Sequence, residues 1–555
     1  VELGNFVLGV TSRDGTGRVA SRALLKAMPG FSQSGSKTSQ CNCAACQERR
    51  RLGQDHDLGS GTSGGYNSQD WGRKYQPANG GCAYIDLDHL ELCIPEVASA
   101  WDYLAAWHAM LRMARLAMQR VNANQSDGLR VQILANNSDG LGNSYGSHLN
   151  VLVNRRTWEN IFHRKLHYML YLAAYQVSSI VFTGQGKVGS ENKAPECDYQ
   201  IAQRADFFET LSGVQTTYRR PIVNSRDESL CGRDNRSHAS GESDGELARL
   251  HVIFYDSTLC HTATLLKAGV MQLVLAMLEA ERLDPALILD DPLEAVVAWS
   301  HDPELTAKAR TAGGEFYTAT ELQLKFLDAA RRFAEQGGFE GVMPRHEEII
   351  ALWADTLDKL HRREFGPLVG RLDWLLKRVA LERAMAQRPN LAWRSPELKH
   401  LDHIYSSIDP DDGLYWAYER AGLTEQLATA GEIERFLHEP PHDTRAYARA
   451  MLLRLAERER VDQVEWDSVR FKLRGRRGWP SYPNLELPDP RHGTKAETEH
   501  LFDGRPLEDV IETIEALQEG AEEEGRLVPE SRASETKDEP LLLPAPQNAA
   551  DSALN

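Results

Sequence analysis

The chain has 555 residues, 41% of them hydrophobic and 26% charged, enough to bury one large core and a smaller companion. Its formal net charge of -17 argues against a general affinity for nucleic acid or anionic membrane, and no uninterrupted apolar stretch reaches membrane-spanning length. With 8 mostly scattered cysteines and no basic, apolar leader at Val1, a reduced, cytoplasmic protein without a disulfide framework is expected.

From Phe31 to Gly81 the residues are rich in Ser, Gly, Asn and Gln without periodicity, which predicts a long polar loop or insertion (31–81) that covers a site. Cys41, Cys43 and Cys46 lie inside it, with His56 as a distant fourth ligand for zinc. A second Cys-x-x-Cys knuckle is missing, so a flexible segment is the preferred reading. In Tyr84-Ile85-Asp86-Leu87-Asp88-His89-Leu90-Glu91, strand alternation puts Tyr84 and Asp86 on one face, with Glu91 just past a turn. Oxygen ligands grouped in this way suit magnesium, and a second carboxylate beside the ion can act as base or nucleophile. An acidic loop that is merely solvated has the same spacing.

Leu104, Trp107, Leu111, Ala114, Met118 and Val121 recur every three or four residues and predict one buried face of a long helix. Val131 to Ala135, Val151 to Val153 and Val252 to Phe254 read as strands. Between the first two lies a Gly- and Asn-rich turn, Asn136 to Gly146, leading into Ser147-His148-Leu149-Asn150. Period two sends His148 and Asn150 to one face, toward a phosphate or metal, and Leu149 to the core. Gln203-Arg204 and Asn224-Ser225-Arg226-Asp227-Glu228 add cations and amides on loops. Arg249 and His251 share a strand face that suits phosphate, or form a structural pair.

From about Leu265 to Arg435 helical patterning dominates, interrupted at Pro285, Pro344, Pro367 and Pro396. Irregular alternation of strands and helices favours an α+β fold whose mixed sheet has helices on one side. Residues 1–438 are expected to form the large domain and 439–503 a small one opening at Pro440-Pro441. Residues 504–555 read as an acidic, largely disordered tail with one amphipathic helix through Leu507, Val510, Ile511, Ile514 and Leu517. Trp466 in the small domain is a candidate to stack on a base, or a core residue.

These blocks resemble one family, the Pup ligases and Pup deamidases (depupylases), proteasome accessory factors related to glutamine synthetase. The resemblance covers Asn79-Gly80-Gly81 through Glu96, Asn136 to Asn150, Gln203-Arg204-Ala205, Ile222 to Glu228 and Arg249 to Ile253. It continues through Thr264 to Lys267, Asn390 to Trp393, Leu401-Asp402, Gly413-Leu414-Tyr415, Pro440-Pro441 with Thr444-Arg445-Ala446, and Trp466. It implies a large domain whose curved antiparallel sheet, flanked by helices as in glutamine synthetase, cradles ATP and Mg2+, capped by a small C-terminal domain. By the same resemblance, Asp86 is the catalytic aspartate, Glu2, Tyr84 and Glu91 form the metal site, and Trp466 contacts the nucleotide. His148, Asn150, Arg226, Arg249 and His251 would line the phosphates. Partners would be Pup and pupylated proteins, with no nucleic acid and no membrane.

The chain departs from the family's pattern at several positions. The family opens with a glycine and a Glu-x-Glu strand, of which only Glu2 is present, so its first metal glutamate is expected upstream of Val1. Cys82 stands where an ATP-contacting Arg is usual, with Arg73 or Lys74 as substitutes. Ile94, His261 and Leu149 replace a Thr, a Glu and a Glu. Asp86 precedes Glu91 by five positions, the shorter spacing associated with the deamidase. Ser138 to Gly142 leans the same way, whereas Gly142 to Gly146 is ligase-like. The resemblance therefore implies, first, an enzyme that cleaves a side-chain amide at the C-terminal Gln or Glu of Pup. The alternatives are a Pup-protein ligase and a non-catalytic Pup- or nucleotide-binding homologue.

Overall fold

The computed structural model describes residues 1–9, 16–32, 71–124, 130–228, 230–231, 247–474 and 479–516. Cys41, Cys43, Cys46 and His56, and the tail beyond residue 516, lie outside them.

The first strand, β1 (Glu2–Leu8), is followed by helix α1 (Thr16–Ala27), a short β2 (Phe31–Ser32), and β3 (Trp71–Tyr75), β4 (Cys82–Asp86) and β5 (His89–Cys93). Helix α2 (Ala100–Ala123) and β6 (Arg130–Leu134) complete a six-stranded sheet of order β2-β3-β4-β5-β1-β6. Every neighbouring pair in it is antiparallel. The main sheet is antiparallel, as the resemblance implies, and not mixed as the alternation of strands and helices suggested; the segment read as a loop from Phe31 to Gly81 contributes β2 and β3 at its ends, which corrects that reading. Side-chain composition hid these strands, because backbone pairing carries them.

Helix α2 begins at Ser99, whose hydroxyl caps the Asp102 N–H at 3.0 Å. Its predicted face is real: Leu104, Trp107, Leu111, Ala114 and Met118 are all buried. On the sheet, Ala83, Ile85, Leu90 and Leu92 enter the same core, so alternation sends Tyr84, Asp86 and Glu91 to the opposite face.

Beyond the sheet, β7 (Leu149–Asn154) pairs with β10 (Leu247–Val252). Between them in sequence, β8 (Phe208–Gly213) and β9 (Arg220–Asn224) form a separate parallel pair. The strand predicted to reach Phe254 stops at Val252. Helix α3 (His261–Glu279) has the length and composition of a membrane span. Most of it is buried among other elements, and it is a core helix. Pro285 and Pro367 sit in single turns of 3-10 helix, Pro344 lies between helices, and Pro396 starts one, where its missing N–H costs nothing.

A second hydrophobic cluster lies under Trp466. Its members come from α4 (Ala446–Leu455), the three-stranded sheet β11 (Val461–Val464), β12 (Ser468–Phe471) and β13 (Asn484–Glu486), and α5 (Lys495–Phe502). Leu507, Val510, Ile511 and Ile514, on a helix over 507–516, are buried in it. Tyr75 and Cys82 of the large sheet belong to this cluster as well, so apolar packing runs across the join.

Candidate active site

The polar face of the large sheet floors a cleft of about 2210 Å³, with β7, β10, the 139–146 loop, the 225–228 loop and Trp466 along its walls. That volume exceeds what a small ligand fills, roughly 300–1,000 Å³, and leaves room for a polypeptide segment.

Register assembles the centre. Glu91 on β5 lies opposite Tyr84 on β4 and opposite Glu2 on β1. The turn between β4 and β5 has two residues, Leu87 (φ 43°) and Asp88 (φ 73°), both in the left-handed region that the tightest hairpins require. Asn5 braces it, donating to the Asp88 carbonyl at 3.2 Å and accepting from the Leu90 N–H at 2.8 Å. Carboxylate oxygens of Glu2, Asp86 and Glu91 consequently lie within 4.8 Å of one another. Burial pushes Glu91 up to about 7, opposed in part by a hydrogen bond from Tyr84; burial raises Glu2 as well. Three crowded carboxylates, two of them resisting ionisation, fit a small hard cation that would neutralise them. Tyr84 stands beside this group as the hydrogen-bond partner of Glu91 rather than as a fourth carboxylate.

Two glycines let the neighbouring loop close over Glu2. A Cβ at Gly4 would lie 2.5 Å from Asn136 Oδ1, and one at Gly146 would lie 2.1 Å from His148 Nε2. The Glu2 N–H donates to the Gly146 carbonyl at 2.9 Å. The loop is anchored from behind: Ser138 donates to Glu191, which also accepts from the Gly142 N–H at 3.0 Å. Lys187 pairs with Glu191 at 2.9 Å and with Asp206 at 3.0 Å, and Asp206 meets His301 at 2.8 Å.

On the β7–β10 wall, Asn150 and His251 are register partners. His251 Nδ1 lies 2.7 Å from Asn150 Oδ1, so Nδ1 carries the proton, and Nε2 is left as a buried acceptor without a hydrogen bond. Burial holds His251 and His148 well below the usual histidine range, and both are neutral. Their rings meet edge-on at 5.0 Å, and His148 Nε2 is 3.8 Å from Glu2 Oε1. Arg249 donates to Asn150 Oδ1 at 3.1 Å and to the Glu228 carbonyl at 2.7 Å. Arg226 reaches the same cleft beside Glu228, at 3.8 Å. Trp466 forms the far end, its ring edge-on to Tyr75 at 5.6 Å.

All ten residues singled out from the sequence thus border one cleft: Glu2, Tyr84, Asp86, Glu91, His148, Asn150, Arg226, Arg249, His251 and Trp466. Arg204 does not join them. It is buried, donates to the Ile253 carbonyl, and belongs to the wall's interior. Of the two substitutes for the arginine replaced by Cys82, Lys74 is bound to the carbonyls of Leu25 (2.6 Å) and Met28 (3.1 Å). Arg73 instead lies over the Tyr84 ring at 4.1 Å, within the cleft. Ile94 borders the cleft, whereas His261 is buried and accepts backbone N–H groups from Leu427 and Ala428. Arg220, passed over in the sequence, holds the Ser144 carbonyl at 2.7 Å on the cleft wall; a cation on the strand before Pro221 was its only signal.

Comparison with known proteins identifies the chain's relatives. The family described as Pup-ligase protein matches residues 25–470. The chain is 36% identical over 426 residues to the depupylase of Acidothermus cellulolyticus, covering 77% of this chain and 80% of that protein. It is 34% identical over 440 residues to the Pup deamidase/depupylase of Mycolicibacterium smegmatis, covering 79% and 82%. Identity to the Pup-protein ligase of Acidimicrobium ferrooxidans is 32% over 411 residues, covering 73% and 85%. Among solved structures, the ligase PafA in complex with Pup superposes with a TM-score of 0.70 at 21% identity over 96% of this chain and 94% of that one. PafA in complex with ADP gives 0.64 at 25% identity over 87% and 96%.

Proposed function

This chain belongs to the family of Pup ligases and Pup deamidases, and from that premise we propose that it is an ATP- and Mg2+-dependent amide hydrolase acting at the C-terminal Gln or Glu of Pup. Within the family, the observation that carries the choice of deamidase/depupylase is the two-residue hairpin tip, which leaves five positions from Asp86 to Glu91. The somewhat higher identity to the depupylases than to the ligase supports it.

In this reading the adenine lies against Trp466, and Arg226, Arg249, His148, Asn150 and His251 face the phosphates. Glu2 and Glu91, with Tyr84 beside them, would hold magnesium next to Asp86. When bound, the ion would neutralise the carboxylates and polarise a phosphoryl or carbonyl oxygen. Asp86 is assigned the attack. A carboxylate oxygen bonds to the side-chain carbonyl carbon of the terminal residue, the C–N bond breaks, and ammonia or a lysine amine leaves with a proton drawn from solvent. Water then cleaves the anhydride, returning Asp86 as carboxylate and Pup with a C-terminal glutamate. His148 and His251, both neutral, can accept or relay that water's proton without adding positive charge beforehand. The excess volume of the cleft suits the C-terminal segment of Pup, and the cytoplasm is the expected compartment.

The test is incubation with ATP, Mg2+ and Pup ending in Gln. Conversion of that Gln to Glu, absent in Asp86→Asn, supports the proposal. Attachment of Pup to lysines with stoichiometric ATP consumption would establish the ligase instead. Nucleotide or Pup binding without either reaction would leave a non-catalytic homologue.

A further inference from the structure

Glu96 lies five residues beyond Glu91, where the chain leaves β5. Its carboxylate accepts from Arg445 Nε at 2.7 Å and from Arg449 Nη1 at 3.0 Å, and pairs with Arg449 Nη2 through its other oxygen. Both arginine side chains are buried, at 3% and 0% exposure. Two buried guanidiniums around one carboxylate form a strong, directional brace, and they hold Glu96 down at about 2 against the opposing effect of burial.

Other donors of the two arginines go to backbone carbonyls, among them those of Trp466 and Leu230, which border the cleft. Arg449 donates to the Trp466 carbonyl at 2.7 Å and to the Gly80 carbonyl at 2.8 Å, and its guanidinium lies 5.0 Å from the Trp466 ring. Arg445 donates to Leu487 at 2.9 Å, beside β13, and to Leu230 at 2.8 Å, just past the loop carrying Arg226 and Glu228. Thr444 donates to the Glu96 carbonyl at 2.8 Å. One carboxylate thus ties together the strand bearing Glu91, the tryptophan at the far end of the cleft, and the phosphate-side loop.

We infer that Glu96 is a positioning residue for the nucleotide: through Arg449 it sets the place of Trp466 relative to the carboxylate cluster, and through Arg445 it sets the place of Leu230 beside the 225–228 loop. The inference rests on the reading of Trp466 as the base platform. It concerns binding and is independent of which amide reaction follows.

The experiment is a double-mutant cycle on the dissociation constant for Mg-ATP, measured by calorimetry on the full chain with wild type, Glu96→Gln, Trp466→Ala and both together. A residue acting through Trp466 gives effects that do not add. Each single change is expected to weaken binding about tenfold, and the double change also about tenfold rather than about a hundredfold. Additive losses, or wild-type affinity in Glu96→Gln, would overturn the inference. If Glu96→Gln fails to fold, Arg449→Lys keeps the charge, removes the two-pronged contact, and takes its place in the same cycle. A wild type that binds Mg-ATP while Trp466→Ala binds equally well would sink the reading of the base platform instead. A wild type that binds but does not act on Pup would sink the proposed reaction alone.

Discussion

Glu2 and Glu91 face one another across the β1–β5 pairing, two carboxylates on neighbouring strands with Asp86 as the third member of their group. Without a cation this is a costly arrangement, and burial already raises both residues toward their protonated forms. Mg2+ is therefore expected to raise the melting temperature of the wild type by several degrees at millimolar concentration. Glu91→Gln should remove that rise while leaving the metal-free protein at least as stable as wild type. Calorimetric melting with and without a chelator reads both effects, and a Glu91→Gln protein still stabilised by magnesium would place the ion elsewhere.

Asp86→Asn keeps size and shape at the end of β4 and removes the carboxylate. Amide cleavage should fall by about a hundred- to ten-thousand-fold, with Mg-ATP affinity changed less than about threefold. Single-turnover rates and calorimetric titration separate the two quantities. An affinity loss that matched the rate loss would make Asp86 a binding group only.

Arg249 bridges Asn150 and Glu228, and from there faces the phosphate side of the cleft. Arg249→Ala should raise the KM for ATP roughly tenfold or more and affect AMP much less, since charge-assisted contacts scale with phosphate charge. Equal weakening of ATP and AMP would show that the residue serves the wall rather than the phosphates.

The brace at Glu96 predicts a pH dependence with a definite sign. Its folded value of about 2 lies below the ordinary 4.5, so the stability it contributes is present above pH 4.5 and is lost as pH falls toward 2. The contribution at neutral pH is on the order of 3 kcal/mol. Urea unfolding at pH 7 should show Glu96→Gln well below wild type, with the gap closing through that window. A constant gap down to pH 3 would contradict the assignment.

Lys377 and Asp402 form a buried pair at 3.0 Å, and Asp402 also accepts the Val188 N–H at 3.0 Å. Asp402→Ala leaves Lys377 charged in the interior and should cost about 3–5 kcal/mol in unfolding free energy. A loss below about 1 kcal/mol would mean that water reaches the pair.

The legible part of the site was the part written in local periodicity. Tyr84, Asp86 and Glu91 lie within one hairpin, where alternation and a short turn fix faces, and the same reasoning served His148 with Asn150 and Arg249 with His251. Glu2 came from the resemblance, and Trp466 stood out only as an isolated aromatic until the resemblance assigned it to the nucleotide, since no spacing links residues so far apart. Glu96, Arg445 and Arg449 carry no local pattern that marks their contact, because the partners are separated by 349 and 353 positions. Strands β2 and β3 were missed for a related reason: a strand of mixed polar residues is held by backbone pairing with a neighbour that composition does not announce.

The hairpin formed by β4 and β5 also restricts how this protein can change over time. A residue gained or lost within either strand would rotate everything beyond it by one face, sending Ala83, Ile85 or Leu90 toward the cleft and carboxylates toward the core. Within this hairpin, Leu87 and Asp88 at the tip are where length can vary without exchanging the faces. Insertions or deletions tolerated in its descendants should gather there, where each alters the reach between Asp86 and Glu91 and so adjusts chemistry before it disturbs folding.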